Sequence, residues 1–148
     1  SRMPALTPEF INDFARRYAA AWTKKESAAN PLQALVTEDV YWADPMLPQP
    51  GRGIATAMML LEGSFTAFPD LICDIMDPPY LAADGKSVMF HWRLSGTMTG
   101  PLPTGAQPTG KRMSLTGVDR WEFRDGRISH YQAFYDLSSL LRQVGLIP

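Results

Sequence analysis

Pro108–Pro148, PTGKRMSLTGVDRWEFRDGRISHYQAFYDLSSLLRQVGLIP, reads as two long strands joined by one tight turn and followed by a closing helix. Asp125-Gly126 accepts the positive φ values of a two-residue hairpin, and alternating sequence flanks it on both sides. The pattern predicts one strand over about Arg112 to Arg124 and another over about Arg127 to Tyr135. Period-2 geometry puts Met113, Leu115, Gly117, Asp119, Trp121 and Phe123 on one face of the first strand. Thr116, Val118, Arg120 and Glu122 take the other. Asp119 is the odd member of an apolar face. A carboxylate buried there is costly unless paired or hydrogen-bonded, so it is either a structural anchor or a working group.

Working outward, the chain of 148 residues has the size of one domain, residues 1–148, able to bury a core of its own. Its formal net charge is −1 with acids and bases interspersed, so no basic stripe suggests nucleic acid. Apolar stretches are broken by Gly, Pro or charge short of a membrane span, and the start does not resemble a signal peptide. A cytoplasmic protein with neither a membrane nor a nucleic-acid partner is expected. Cys73 is the only cysteine, which excludes an internal disulfide and reads as a packed thiol in a reducing compartment. His91 and His130 are the only histidines, and no spacing resembles a metal site. The reading expects no metal and no cofactor.

Thr7-Pro8-Glu9 is a helix start, with a hydroxyl N-cap, a proline at the first position and an early acid. Phe10, Phe14, Tyr18 and Trp22 recur every four residues, which predicts an amphipathic helix to about Lys24. Asn30-Pro31 opens a short helix carrying Leu32, Leu35 and Val36, and Val40 to Asp44 reads as a short strand. Pro45 to Gly53 is a loop, Ile54 to Phe68 is helical, and Phe68-Pro69-Asp70 ends that helix. Leu71 to Met76 reads as a strand, Asp84-Gly85 as a second hairpin turn, and Ser87 to Gly100 as a long strand. Pro101 to Gly110, with three prolines and two glycines, is a loop. Leu137 to Val144 closes the chain as a helix stopped by Gly145. The Met58-Met59-Leu60-Leu61 run reads as core, and His130 as a surface or interface residue. Helices first and antiparallel strands after argue for an α+β domain, its helices against the concave face of a curved antiparallel or mixed sheet that encloses a pocket.

Tyr18-Ala-Ala-Ala-Trp22, Trp42-Ala43-Asp44-Pro45, Phe68-Pro69-Asp70-Leu71, Thr109-Gly110-Lys111, Gly117-Val118-Asp119, Asp125-Gly126-Arg127-Ile128 and Leu140 to Gly145 follow one another in a familiar order. Together they resemble the SnoaL-like polyketide cyclases and, more distantly, the limonene-epoxide hydrolases, within the nuclear-transport-factor-two-like superfamily. The resemblance covers nearly the whole chain and implies a cone-shaped fold, which hosts many reactions and also non-catalytic binders. The cyclases use a His and an Asp from the last two strands, and the matching positions here are Asp119 and Ala133. The epoxide hydrolases hold a water between a Tyr, an Asn and an Asp, with an Arg and a second Asp completing the relay. Those positions carry Trp42, Asp44, Ala133, His91 and Arg93. The resemblance therefore implies the fold while removing both familiar catalytic sets.

Counting from the Asp84-Gly85 turn, the next strand is expected to show Met89, His91, Arg93 and Ser95 to the pocket and to turn Phe90, Trp92 and Leu94 away. The last strand is expected to show Tyr131, Ala133 and Tyr135 inward, with Ile128, His130, Gln132 and Phe134 outward. Asp44, His91, Arg93 and Asp119 then converge on one cavity walled by Trp22, Trp42, Met113, Leu115, Trp121, Tyr131 and Tyr135. In the catalytic reading Asp119 is the general acid/base, His91 orients or assists it, Arg93 stabilises a developing oxyanion, and Asp44 positions His91 or a water. In the plain reading Asp119 and Arg93 form a structural ion pair and His91 is a hydrogen-bonded wall residue.

The expected function is a cofactor-free enzyme acting on an apolar oxygenated molecule such as a polyketide, steroid or terpenoid derivative, by proton transfer leading to cyclisation or isomerisation. The alternative is a non-catalytic binding or assembly protein of the same fold. Phe90, Trp92 and Phe134 on the outer face predict a homodimer through the sheet.

Overall fold

The computed structural model describes residues 6–24 and 30–148. Helix α1 (Pro8–Ala21) begins as its sequence dictates: the Thr7 hydroxyl accepts from Phe10 N–H at 3.1 Å, Pro8 occupies the first turn, and Phe14 and Tyr18 are buried along one side. Helix α2 (Leu32–Leu35) is entered through Asn30, whose side chain accepts from Leu32 N–H at 2.7 Å. Val36 belongs not to this helix but to the strand it feeds, β1 (Val36–Ala43), which starts earlier than the sequence suggested. Strand β2 (Gly51–Arg52) is a short ribbon returning from the Pro-rich loop. Helix α3 (Ile54–Ala67) ends before Pro69, where Phe68 has left the helical region at φ −127° and ψ 80°, as the residue before a proline is pushed to do. Met59 is an exception to the core reading of its run: it faces out, whereas Leu60 and Leu61 are buried.

Strands β3 (Ile72–Ile75), β4 (Tyr80–Leu81), β5 (Ser87–Thr97), β6 (Arg112–Arg124) and β7 (Arg127–Phe134) follow, then helix α4 (Leu137–Gln143). The sheet order is β2-β1-β7-β6-β5-β3, with β4 also on β5. Among the described residues only the β1–β7 pairing is parallel, so the sheet is mixed. It curls without closing. The fold is α+β, with the apolar sides of α1 and α3 packed into the concave face. Asp125 and Gly126 take φ of 52° and 77°, the paired left-handed values that a two-residue hairpin needs. Gly145, at φ 79°, ends α4 with its N–H on Arg142 C=O and Leu146 N–H on Leu141 C=O.

Two facings differ from the sequence reading. Antiparallel partners directly opposite share a face, and Phe90 pairs with Asp119, Trp92 with Gly117 and Leu94 with Leu115. Phe90, Trp92 and Leu94 therefore point inward, while Met89, His91 and Arg93 point out. On β7, Glu122 pairs with His130 but Phe123 pairs with Ile128, so Ser129 is an extra residue in a bulge. That insertion turns Ile128 into the core, where it is fully buried, while leaving Tyr131 and Ala133 inward as expected. Among the described residues no helix is long and apolar enough to cross a membrane.

Candidate functional site

A cavity of about 90 Å³ lies between the concave face of the sheet and helices α1 and α3. Its wall is mostly apolar: Leu60, Leu71, Leu94, Leu102, Met113, Leu115 and Leu140 share it with aromatic side chains, among them Tyr18 of α1 and Trp22 at the end of that helix. Two carboxyl groups, Asp44 and Asp119, interrupt that apolar lining.

Asp119 is 1% exposed at the centre of β6. Its Oδ1 accepts from Trp92 Nε1–H at 2.8 Å and from Tyr131 O–H at 3.1 Å, and its Oδ2 accepts from Trp121 Nε1–H at 3.3 Å. Each donor follows from the ladder. Trp92 comes across from β5, where its neighbour Gly117 leaves room: a Cβ there would stand 2.5 Å from the indole Cζ2. Tyr131 pairs with Trp121 from β7, and Trp121 is two residues along the same strand face. Burial disfavours the carboxylate and the three donors favour it; burial wins, and the carboxyl is pushed up to about 7. Tyr18 and Tyr131 beside it are pushed well above the usual phenol range, first by burial and then by the Asp119 charge, so both stay protonated donors.

Asp44 sits at the end of β1. Its Oδ1 accepts from Tyr135 O–H at 2.6 Å and from Met46 N–H at 2.8 Å. Burial raises its carboxyl above the ordinary range while these two bonds pull it back. Both bonds fall on one oxygen, which leaves Oδ2 without a donor among the described residues. Burial also pushes the Tyr135 hydroxyl up, with the Asp44 charge second, so Tyr135 remains the donor of the pair.

The remaining sequence candidates divide. Trp22, Met113, Leu115, Tyr131 and Tyr135 line the cavity with the two acids. Trp42 and Trp121 are fully buried behind it: Trp42 stacks on Tyr131 at 3.6 Å between ring centroids, and Trp121 serves Asp119. His91 and Arg93 are not in the cavity. His91 Nδ1 lies 2.7 Å from Asp77 Oδ2 and Arg93 reaches Asp74 at 3.5 Å, both on the outer face. The expected contacts of His91 with Asp44 or Asp119, and of Arg93 with Asp119, are thereby corrected. The ion-pair reading of Asp119 falls with them, since its partners are two indoles and a phenol. Sequence reasoning missed Trp92 as the main donor to Asp119, and Tyr18 as a wall residue beside it. The available signal was the alternation of Val88, Phe90, Trp92 and Leu94, a plain buried strand face. The dimer surface drawn from Phe90 and Trp92 loses both residues to the interior; Phe134 does face out, at 46% exposure. Among the described residues no group of three or more His, Cys, Asp or Glu side chains could hold a metal ion.

The fold recurs in solved structures. TsrD from Streptomyces laurentii superimposes with a TM-score of 0.80 at 21% identity, over 96% of this chain and 99% of that one. A protein of Jannaschia sp. CCS1 classed with the SnoaL-like polyketide cyclases gives 0.81 at 21% identity, over 100% and 99%. A Catenulispora acidiphila protein with a ketosteroid isomerase-like fold, solved in complex with trimethylamine, gives 0.70 at 22% identity, over 92% and 94%. No curated protein matches. At these identities the structures speak for the fold alone, but residues 12–144 also match the family model described as SnoaL-like polyketide cyclase. With β1 to α4 and most of α1 inside that match, the chain belongs to the SnoaL-like polyketide cyclase family.

Proposed function

We propose that the cavity binds a small, mostly apolar, oxygenated molecule and moves a proton on it, as in cyclisation or isomerisation next to a carbonyl. The observation that carries this reading is a pair of acids set in an otherwise mostly apolar wall of aliphatic and aromatic side chains, where burial raises both carboxyls. Asp119, poised near neutrality, exchanges the proton. Asp44, clamped through Oδ1 by Tyr135 and Met46, uses Oδ2 to orient a substrate hydroxyl or a water. His91 and Arg93 take no part from the outer face. Size constrains the substrate. An apolar cavity of about 150 Å³ holds benzene, so about 90 Å³ suits a five-membered ring.

The non-catalytic binder remains the second reading, and one observation favours it: Asp119 already carries three protein donors, with Ala133 opposite it on β7. Both readings meet in one assay. Cyclopentanone incubated with the protein in deuterium oxide is expected to exchange its α-protons faster than in buffer, and Asp119→Asn is expected to lower that rate at least a hundredfold. Binding of the ketone without exchange above buffer would establish the binder instead.

A further inference from the structure

We infer that Trp22 is a ligand-binding donor, its indole N–H holding a neutral oxygen of the molecule that occupies the cavity. The inference rests on the reading above that the cavity binds a small molecule, and it adds which atom of the ligand is recognised and by what. Trp22 caps the C-terminal end of α1 and its ring forms part of the cavity wall at 8% exposure. Its Nε1 is buried and finds no acceptor among the described residues. A buried donor left unmade loses its water without compensation, and native side chains rarely leave one so.

The neighbourhood explains why the protein itself offers nothing. The end of α1 is pinned to the start of β3: Lys24 N–H donates to Leu71 C=O at 2.7 Å, and Thr23 Oγ1 accepts from Cys73 N–H at 3.0 Å. These bonds use the polar groups of that corner on each other. What faces the cavity there is Leu71, Phe68 and the Cys73 thiol, which burial pushes up and keeps uncharged. The other indoles differ. Trp92 and Trp121 both end on Asp119. Trp42 also has an unpartnered Nε1, but its ring is stacked on Tyr131 and does not line the cavity.

The wall also says which oxygen fits. A single neutral N–H compensates a ketone or lactone carbonyl. It does not compensate a carboxylate, whose charge would face two acids with no cation on the cavity wall.

Two probes of matched shape, cyclopentanone and cyclopentane, test this by NMR titration of the wild type and of Trp22→Phe. The indole resonance is assigned by its loss in that variant. Cyclopentanone is expected to move the Trp22 indole N–H downfield and cyclopentane to leave it in place. The ketone affinity is expected to fall about tenfold in Trp22→Phe while the hydrocarbon affinity changes less than twofold. A ketone that perturbs the Met113 and Leu115 methyls without moving the indole proton overturns the inference and leaves the binding cavity standing. So does equal weakening of both probes, which marks Trp22 as packing alone. Should neither probe bind the wild type, the cavity reading itself fails and takes this one with it. The wild-type indole shift decides the matter even if Trp22→Phe folds poorly.

Discussion

Replacing Asp119 by Asn should abolish a specific pH dependence of stability. The carboxyl sits at about 7 in the folded protein against 3.8 when free, chiefly because burial penalises its charge. The sign follows from linkage: the folded state holds the proton more tightly, so the contribution of this group is fully present below the unfolded value and is lost as pH rises through the folded one. The whole displacement is worth on the order of 4 kcal/mol, and the part falling between pH 5 and pH 8 is roughly 3 kcal/mol. Asn does not titrate. It can still accept from Trp92 and Tyr131 through its oxygen, but its amide would meet the Trp121 N–H donor to donor, a fixed penalty of about 1–3 kcal/mol at every pH. Asp119→Asn should therefore be clearly less stable than wild type at pH 5, and the gap should close by roughly 3 kcal/mol by pH 8. Urea unfolding followed by tryptophan fluorescence at four pH values measures it directly, because Trp92 and Trp121 report on the same carboxyl. A constant difference from pH 5 to pH 8 would refute the argument, since Asp119 would then not change ionisation in that window.

Gly117→Ala should cost on the order of 1–3 kcal/mol in urea unfolding, because its Cβ would meet Trp92 Cζ2 at 2.5 Å and Phe134 O at 2.8 Å in a filled core; wild-type stability would mean that the indole moves freely and is not what sets Asp119. Tyr135→Phe removes a donor that lowers the Asp44 carboxyl, so any activity that needs Asp44 ionised should have its acidic limb shifted to higher pH, and an unmoved limb would take Asp44 out of the mechanism. The proposed homodimer through the outer sheet face must use Met89 and Phe134, 43% and 46% exposed, in place of Phe90 and Trp92. Sedimentation at micromolar concentration should then show a wild-type dimer and a Phe134→Asp monomer, and a monomeric wild type ends that proposal.

The hairpin was legible because its turn residues and its alternation agree. Asp125-Gly126 fixed where β6 ends, and counting back by two placed Met113, Leu115, Asp119 and Trp121 on the inner face, where they lie. Both acids of the cavity could be named from sequence, since Asp119 interrupts an apolar face and Asp44 falls at a position that the resemblance to the epoxide hydrolases implies. What could not be read was register. The segment between β5 and β6 is a long loop, which leaves the pairing of the two strands open, and counting from the Asp84-Gly85 turn gave β5 the facing opposite to the one that Val88, Phe90, Trp92 and Leu94 require. The apolar residues decide. Turning those large side chains to water would forfeit about 1.5–3 kcal/mol each, whereas His91 and Arg93 lose little by staying half-exposed beside Asp77 and Asp74.

The same accounting explains the Ser129 bulge. Ile128 and Tyr131 are both inner-face residues of β7 separated by an odd number of positions, and only an extra residue between them lets both be buried. If the strand paired regularly with all its residues kept, either Ile128 would be lost from the core or Tyr131 would leave Asp119. The candidate site therefore depends on an irregularity that a strict period of two conceals. Deleting Ser129 should restore regular alternation with both contacts kept, since Ile128 and Tyr131 would then stand two positions apart, like their partners Phe123 and Trp121. The deletion variant should therefore stay folded with Tyr131 on the carboxyl, losing local contacts such as the bond from the Ser129 hydroxyl to Glu122 C=O, and a collapse of stability in urea unfolding would show that the bulge does more than keep both residues inward.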